Sequence, residues 1–159
     1  MDLSVTPVSL VSSVYEKLTE NIKKLREREN TPLTLAEKLI FGHATDISSI
    51  SLNKGEDYGD FAPDRVAMQD ATAQMALLQF MQADLPETAV PTTVHCDHLI
   101  QAYEGATSDL QVANKTHKEV FDFLRTASEK YEIGFWGPGA GIIHQVVLEL
   151  SLIHISEPT

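Results

Sequence analysis

Apolar residues recur at helical spacing near the start of the chain, at Val14, Leu18, Ile22 and Leu25. They predict an amphipathic helix over residues 13–28. The opposite face carries Lys17, Glu20, Lys23, Lys24, Glu27 and Arg28, a charge run that reads as a solvated helix face. Thr34 with Glu37 fits a capping box and starts a second helix that ends near Gly42. Residues 44–63 are rich in Ser, Asp and Gly and read as a long connection. Beyond it the pattern alternates. Residues 65–68 predict a short strand, and Asp70 can cap a helix to about Ala83 through Met75, Leu77, Leu78 and Phe80. The apolar run at 89–94 predicts a second strand, with Pro91 marking an irregular or terminal position. Ser108 or Asp109 can cap one long helix to about Tyr131, striped by Leu110, Ala113, Val120, Phe121 and Leu124. Residues 133–136 predict a third strand, followed by a Gly137-Pro138-Gly139 turn and a further apolar segment from Ile142 to Leu148.

Strands alternating with helices argue for an α/β layered domain. Its sheet is expected to be mostly parallel and flanked by helices, with N-terminal helices ahead of it. The expected organisation is an extension over 1–12, one α/β region over 13–149 and a separate tail over 150–159. No internal repeat or low-complexity tract interrupts this.

Composition narrows the functional classes. A length of 159 residues supports a real core, and 43% hydrophobic with 22% charged residues is ordinary for a globular protein. The formal net charge is −11, from 23 acidic and 12 basic side chains, which argues against a nucleic-acid partner. An anionic small molecule stays open, because a local pocket can be positive on an acidic protein. One cysteine excludes an internal disulfide framework and an internal multi-cysteine metal site. No apolar run approaches the ~20 residues of a membrane helix, so no membrane partner is expected. The first residues show neither a secretory nor a transit-peptide pattern, so the default expectation is cytoplasmic.

The candidate chemistry sits at the ends of the predicted strands. Asp97-His98 follows the 89–94 run, the carboxyl end of a strand, where open α/β sheets place their ligands. A carboxylate can support a histidine that gives a proton to a leaving hydroxyl. Neighbouring side chains point apart within a strand, so such a pair has to form at a turn or strand end. The dipeptide alone reads more readily as a helix-capping Asp beside a surface His. His144, after a Gly-rich turn, fits a site or a structural role. Gln69, at a strand–helix junction, fits a substrate amide or a group satisfying local backbone. Cys96 reads as a small buried hydrophobe, and His43, His95 and His117 carry no functional argument. The spacing of His95, His98 and His144 matches no helical zinc motif, so no metal ligand is assigned. Gly137, Gly139 and Gly141 lack the pattern of a phosphate loop.

Three long runs carry a family resemblance: Pro63-Asp64-Arg65-Val66-Ala67-Met68-Gln69-Asp70-Ala71-Thr72-Ala73-Gln74, Val94-His95-Cys96-Asp97-His98-Leu99-Ile100, and residues 134–145 from Gly134 to Gln145. Over about Tyr15 to Glu149 the chain resembles the aconitases of the mitochondrial type, a branch that many bacteria share. The resemblance implies a hydro-lyase parent that interconverts citrate and isocitrate through cis-aconitate in the tricarboxylic acid cycle. It implies a [4Fe-4S] cluster in that parent, with none bound by these residues. His98 is then the acid at the substrate hydroxyl, Asp97 its partner, His144 a further active-site residue and Gln69 a substrate contact. The family's Asp-Ser-His run, cluster cysteines, substrate arginines and serine base have no counterpart here. The chain therefore resembles an N-terminal fragment, inactive alone, whose partners include the missing downstream domains. Its location would be cytoplasmic in a bacterium or the mitochondrial matrix in a eukaryote. The segment from Leu150 resembles a reading frame of a sequencing adapter and is expected to be non-native. The rivals are a related iron–sulfur hydro-lyase of another hydroxy acid, and a non-enzymatic binding module.

Overall fold

The computed structural model describes residues 7–51, 53, 55 and 58–148. The expected tail over 150–159 and the first six residues of the expected extension lie outside them. Two compact units divide the chain at Arg65.

The first unit is built on two helices, α1 (Val8–Glu29) and α2 (Leu35–Gly42). Helix α1 begins five residues before the sequence pattern suggests and ends at Asn30, a left-handed residue whose N–H returns to the Arg26 carbonyl. The capping box expected at Thr34 and Glu37 is present in both halves. Gly42 lets α2 close on α1, since a Cβ there would lie 2.1 Å from Leu18 Cδ2. Buried Leu25, Ala44, Ile47 and Ile50 form the core, with Leu33 and Phe41 packed against them. Buried Asn21 of α1 donates to the carbonyls of Gly42 and Ala44, both at 3.0 Å. Arg28 departs from the solvated face expected of its charge run. Its guanidinium donates to the carbonyls of Ile47, Ser48 and Ile50 and gives the long connection a fixed course.

The second unit is the α/β body. Its strands are β1 (Val66–Gln69), β2 (Thr92–His95) and β3 (Gly134–Trp136). Its helices are α3 (Asp70–Gln82), α4 (Ala106–Thr116) and α5 (Lys118–Lys130), and residues 143–148 are helical. The sheet has the order β1-β2-β3 and both pairings are parallel, as expected. The register sets Gln69 opposite His95 and His95 opposite Trp136, so the three strands end level at their carboxyl edge. Ala73 and Leu77 of α3, Val94 and Cys96 at β2, and Phe121, Leu124 and Ala127 of α5 fill the core between helices and sheet.

Within this unit the elements depart from the sequence pattern in four main places. Strand β2 starts at Thr92, because Pro91 has no N–H for the ladder; its carbonyl accepts from Val66 N–H just before the strand. The single helix expected to Tyr131 is two, with a break at His117 (φ −108°, ψ 22°). Ala113 and Phe121 are eight residues apart, a spacing a straight helix would also satisfy, so the apolar stripe merges them. Gly105, not Ser108 or Asp109, precedes α4. Asp109 acts from inside the first turn, accepting from the N–H groups of Tyr103, Glu104 and Gly105, and these bonds hold its carboxyl below the usual range. Asp70 is the first residue of α3 and Gln69 caps it. The Gly-Pro-Gly turn closes as expected, with Ala140 N–H on the Gly137 carbonyl and Gly139 at φ +90° after Pro138, the type II arrangement.

Candidate active site at the carboxyl edge of the sheet

Chain leaving β2 turns at once, and that turn carries Asp97 and His98. The turn removes the constraint that points neighbouring strand residues apart. His98 Nδ1 lies 2.6 Å from Asp97 Oδ1. An ionised carboxylate only accepts, so Nδ1 bears the proton and Nε2 is left for an incoming group. Nε2 is then an acceptor on the neutral ring and a donor on the protonated one. The pair is graded in exposure: the His98 side chain is 42% exposed, the Asp97 side chain 9%. The carboxylate is thus anchored while the imidazole reaches outward.

Asp97 is anchored by a second bond. Its Oδ2 accepts from the Ile143 N–H at 2.6 Å. Ile143 is buried and opens the helical residues 143–148, so the bond ties the turn after β2 to the segment after β3. His144 follows directly. Its ring stands 6.4 Å from that of His98, centroid to centroid, at 71°. The structure therefore brings together Asp97, His98 and His144 from two connections at one edge of the sheet.

Gln69 ends β1 on that same edge, but its Oε1 accepts from Ala71 N–H at 3.2 Å and caps α3. Among the described residues no hydrogen bond links it to the other three. Asp70, beside it, is a residue that sequence reasoning missed. It is fully buried, and its carboxylate accepts from the N–H groups of Ala71, His98 and Leu99. Two of those donors lie 28 and 29 positions away along the chain, so no local pattern announces them.

His95 and Cys96 also lie close by, and both are buried. His95 is buried, stacked on Trp136 at 5.0 Å, with Nε2 2.9 Å from Thr93 Oγ1. Burial pushes its imidazole below the usual value, the Asp97 charge pulls it back up, and Arg65 pushes it down. Cys96 is buried, and burial, helped by the Asp70 and Asp97 charges, pushes its thiol up to about 12. That is the inert hydrophobe the sequence suggests. Asp70, Asp97 and His98 offer atoms within 4.8 Å of one another. Both carboxylates already accept backbone N–H groups, and the arrangement reads as a hydrogen-bonded turn rather than a cation site. Among the described residues no helix is long and apolar enough to cross a membrane.

Known proteins resemble this chain over most of its length. A family model described as Aconitase family (aconitate hydratase) matches residues 37–158, running into the segment that resembles an adapter. The chain is 58% identical over 135 residues to a protein named mitochondrial aconitate hydratase from Schizosaccharomyces pombe. It is 60% identical to a protein named probable mitochondrial aconitate hydratase from Dictyostelium discoideum and 54% to one named mitochondrial aconitate hydratase from Saccharomyces cerevisiae, each over 135 residues. Each alignment covers 85% of this chain and 17% of the relative, so the chain spans about a sixth of the length of the curated relatives it matches.

Proposed function

Because this chain belongs to the aconitase family, we propose that it supplies one wall of an aconitate hydratase active site, acting on citrate, isocitrate and cis-aconitate. The observation that carries the reading is the Asp97–His98 bond of 2.6 Å, formed at the carboxyl edge of a parallel sheet and fastened to Ile143. Dehydration of citrate or isocitrate removes a hydroxyl and a proton from adjacent carbons. A hydroxyl leaves readily only as water, so a proton must reach it. His98 Nε2 is the donor, and Asp97 holds the ring by Nδ1 and fixes its orientation. On rehydration His98 takes that proton back. His144 would contact the same substrate oxygens, a reading supported by its ring standing 6.4 Å from that of His98. Gln69 would turn its amide to a substrate carboxylate or hydroxyl on binding, and its helix-capping bond is the alternative it gives up.

Aconitases generally use a [4Fe-4S] cluster, which supplies Lewis-acid activation of the hydroxyl. The residues here do not fit one. The single cysteine is buried with its thiol held protonated, and cluster ligation takes several thiolates. The thiolates and the carbon base would come from outside these residues, and the 159-residue chain is expected to be inactive alone. Apolar side chains exposed on α2 (Leu35, Leu39, Ile40) and α3 (Met75, Leu78) suit faces that the longer protein covers. The names of the matched relatives favour a mitochondrial location over the cytoplasmic default.

The test is an assay for cis-aconitate by its ultraviolet absorbance. The isolated chain should give none. In the full-length enzyme containing this segment, His98→Ala should lower turnover by about 100-fold or more, the usual scale for a lost general acid. Turnover within twofold of the parent would remove His98 from the chemistry.

A further inference from the structure

We infer that Asp70 is a positioning residue for the Asp97–His98 pair, setting the place of the His98 imidazole by gripping its backbone. This rests on the reading of His98 as the proton donor. A carboxylate with no solvent exposure is costly unless its lone pairs are met by donors. Here three backbone N–H groups meet them: Oδ1 accepts from Ala71 at 3.0 Å and from His98 at 3.2 Å, and Oδ2 accepts from Leu99 at 3.2 Å. Asp70 also opens α3, where the helix dipole favours a negative charge.

Two of the three donors belong to the turn that bears the acid pair, and one is the amide of His98 itself. Bonds to the core would serve stability; bonds to these two amides fix where the imidazole starts. Asp70 is also covalently next to Gln69. It therefore spans β1 and the β2 turn and sets the separation between Gln69 and His98. Asp97 then orients the ring from the other side, through Nδ1. Removing Asp70 frees the backbone from which Asp97 and His98 must meet.

The test uses nuclear magnetic resonance on the 159-residue chain, with two readouts: hydrogen exchange at the amides of His98, Leu99 and Val94, and the ring tautomer of His98 from its nitrogen shifts. Neither involves turnover, so a failure here is distinct from a failure of the proposed activity. In the unaltered chain the His98 and Leu99 amides should be protected and the Nδ1–H tautomer dominant. Asp70→Asn keeps one acceptor and sets an NH2 group against the amides. It should speed exchange at His98 and Leu99 by about tenfold or more, more than at Val94, and mix the tautomers. Leu77→Ala, a core change that leaves the turn untouched, should speed all three amides and leave the tautomer alone. Solvent-rate exchange of the two amides in the unaltered chain overturns the inference, as does an Asp70→Asn chain with the tautomer unchanged. Should Asp70→Asn not fold, the unaltered chain is followed in denaturant below its midpoint. Joint loss of protection and tautomer supports the inference, and loss of protection with the tautomer intact overturns it.

Discussion

Replacing Asp97 with alanine removes two acceptors at once, and the structure allows their worth to be separated. The Ile143 N–H, on a residue only 9% exposed, would lose its partner with little access to water. A buried donor left unpaired costs about 1–3 kcal/mol. The bond to His98 contributes less, because that side chain is 42% exposed and its interaction is screened; a figure of roughly 0.2–1 kcal/mol is appropriate. Asp97→Ala should therefore destabilise the α/β unit by about 2 kcal/mol. With a urea dependence near 2 kcal/mol per molar, the midpoint falls by about 1 M. Asp97→Asn retains one side-chain oxygen and can serve only one of the two donors, so its midpoint should lie between. The readout is built in: Trp136 is the single tryptophan and stands in β3, stacked on His95. Equilibrium urea unfolding followed by its fluorescence reports the unit that holds the site. A midpoint for Asp97→Ala within about 0.2 M of the unaltered chain would refute the reasoning, because it would mean that Asp97 does not hold Ile143 in solution.

Two further outcomes follow from the titrating groups around the sheet. Cys96 is buried with its thiol raised to about 12, so alkylation at pH 8 should proceed only through opening, roughly 100-fold or more slower than in denaturant; equal rates would show the thiol to be accessible. His95 is pushed below the ordinary histidine value of about 6.5, so between its folded value and 6.5 the unfolded chain binds the proton more readily. Stability is then full above pH 6.5 and falls as pH drops below it. The urea midpoint should decrease from pH 7.5 to 5.5, and His95→Gln should flatten that decrease; a slope that His95→Gln leaves unchanged would remove His95 as its source.

What the sequence discloses here follows the range of the forces involved. The capping box at Thr34 and Glu37, the type II turn at Pro138 and Gly139, and the parallel α/β order are set by neighbours or by periodicity, and all are legible in the chain. That Asp97 and His98 need a turn is also legible, since strand geometry forbids the alternative. Asp70 is different. Read locally it is a helix cap, yet its carboxylate serves amides nearly thirty residues on, and Gln69 takes the cap. Arg28 likewise reads as one charge of a solvated run, while its guanidinium holds three carbonyls of the following connection. The break at His117 leaves the apolar stripe in phase, so periodicity passes over it. In Asp70 and Arg28 the common element is a side chain bonded to backbone remote in sequence.

The bond from Asp97 to Ile143 also has a meaning in time. A ribosome delivers the turn after β2 well before it delivers β3. Asp70 can seize the His98 and Leu99 amides as soon as those residues emerge. Asp97 gains its Ile143 donor only 46 residues later, a few seconds at about 5–20 residues per second. Until then Asp97 Oδ2 lacks its backbone donor, and the arrival of Ile143 supplies the bond that ties the turn after β2 to the segment after β3.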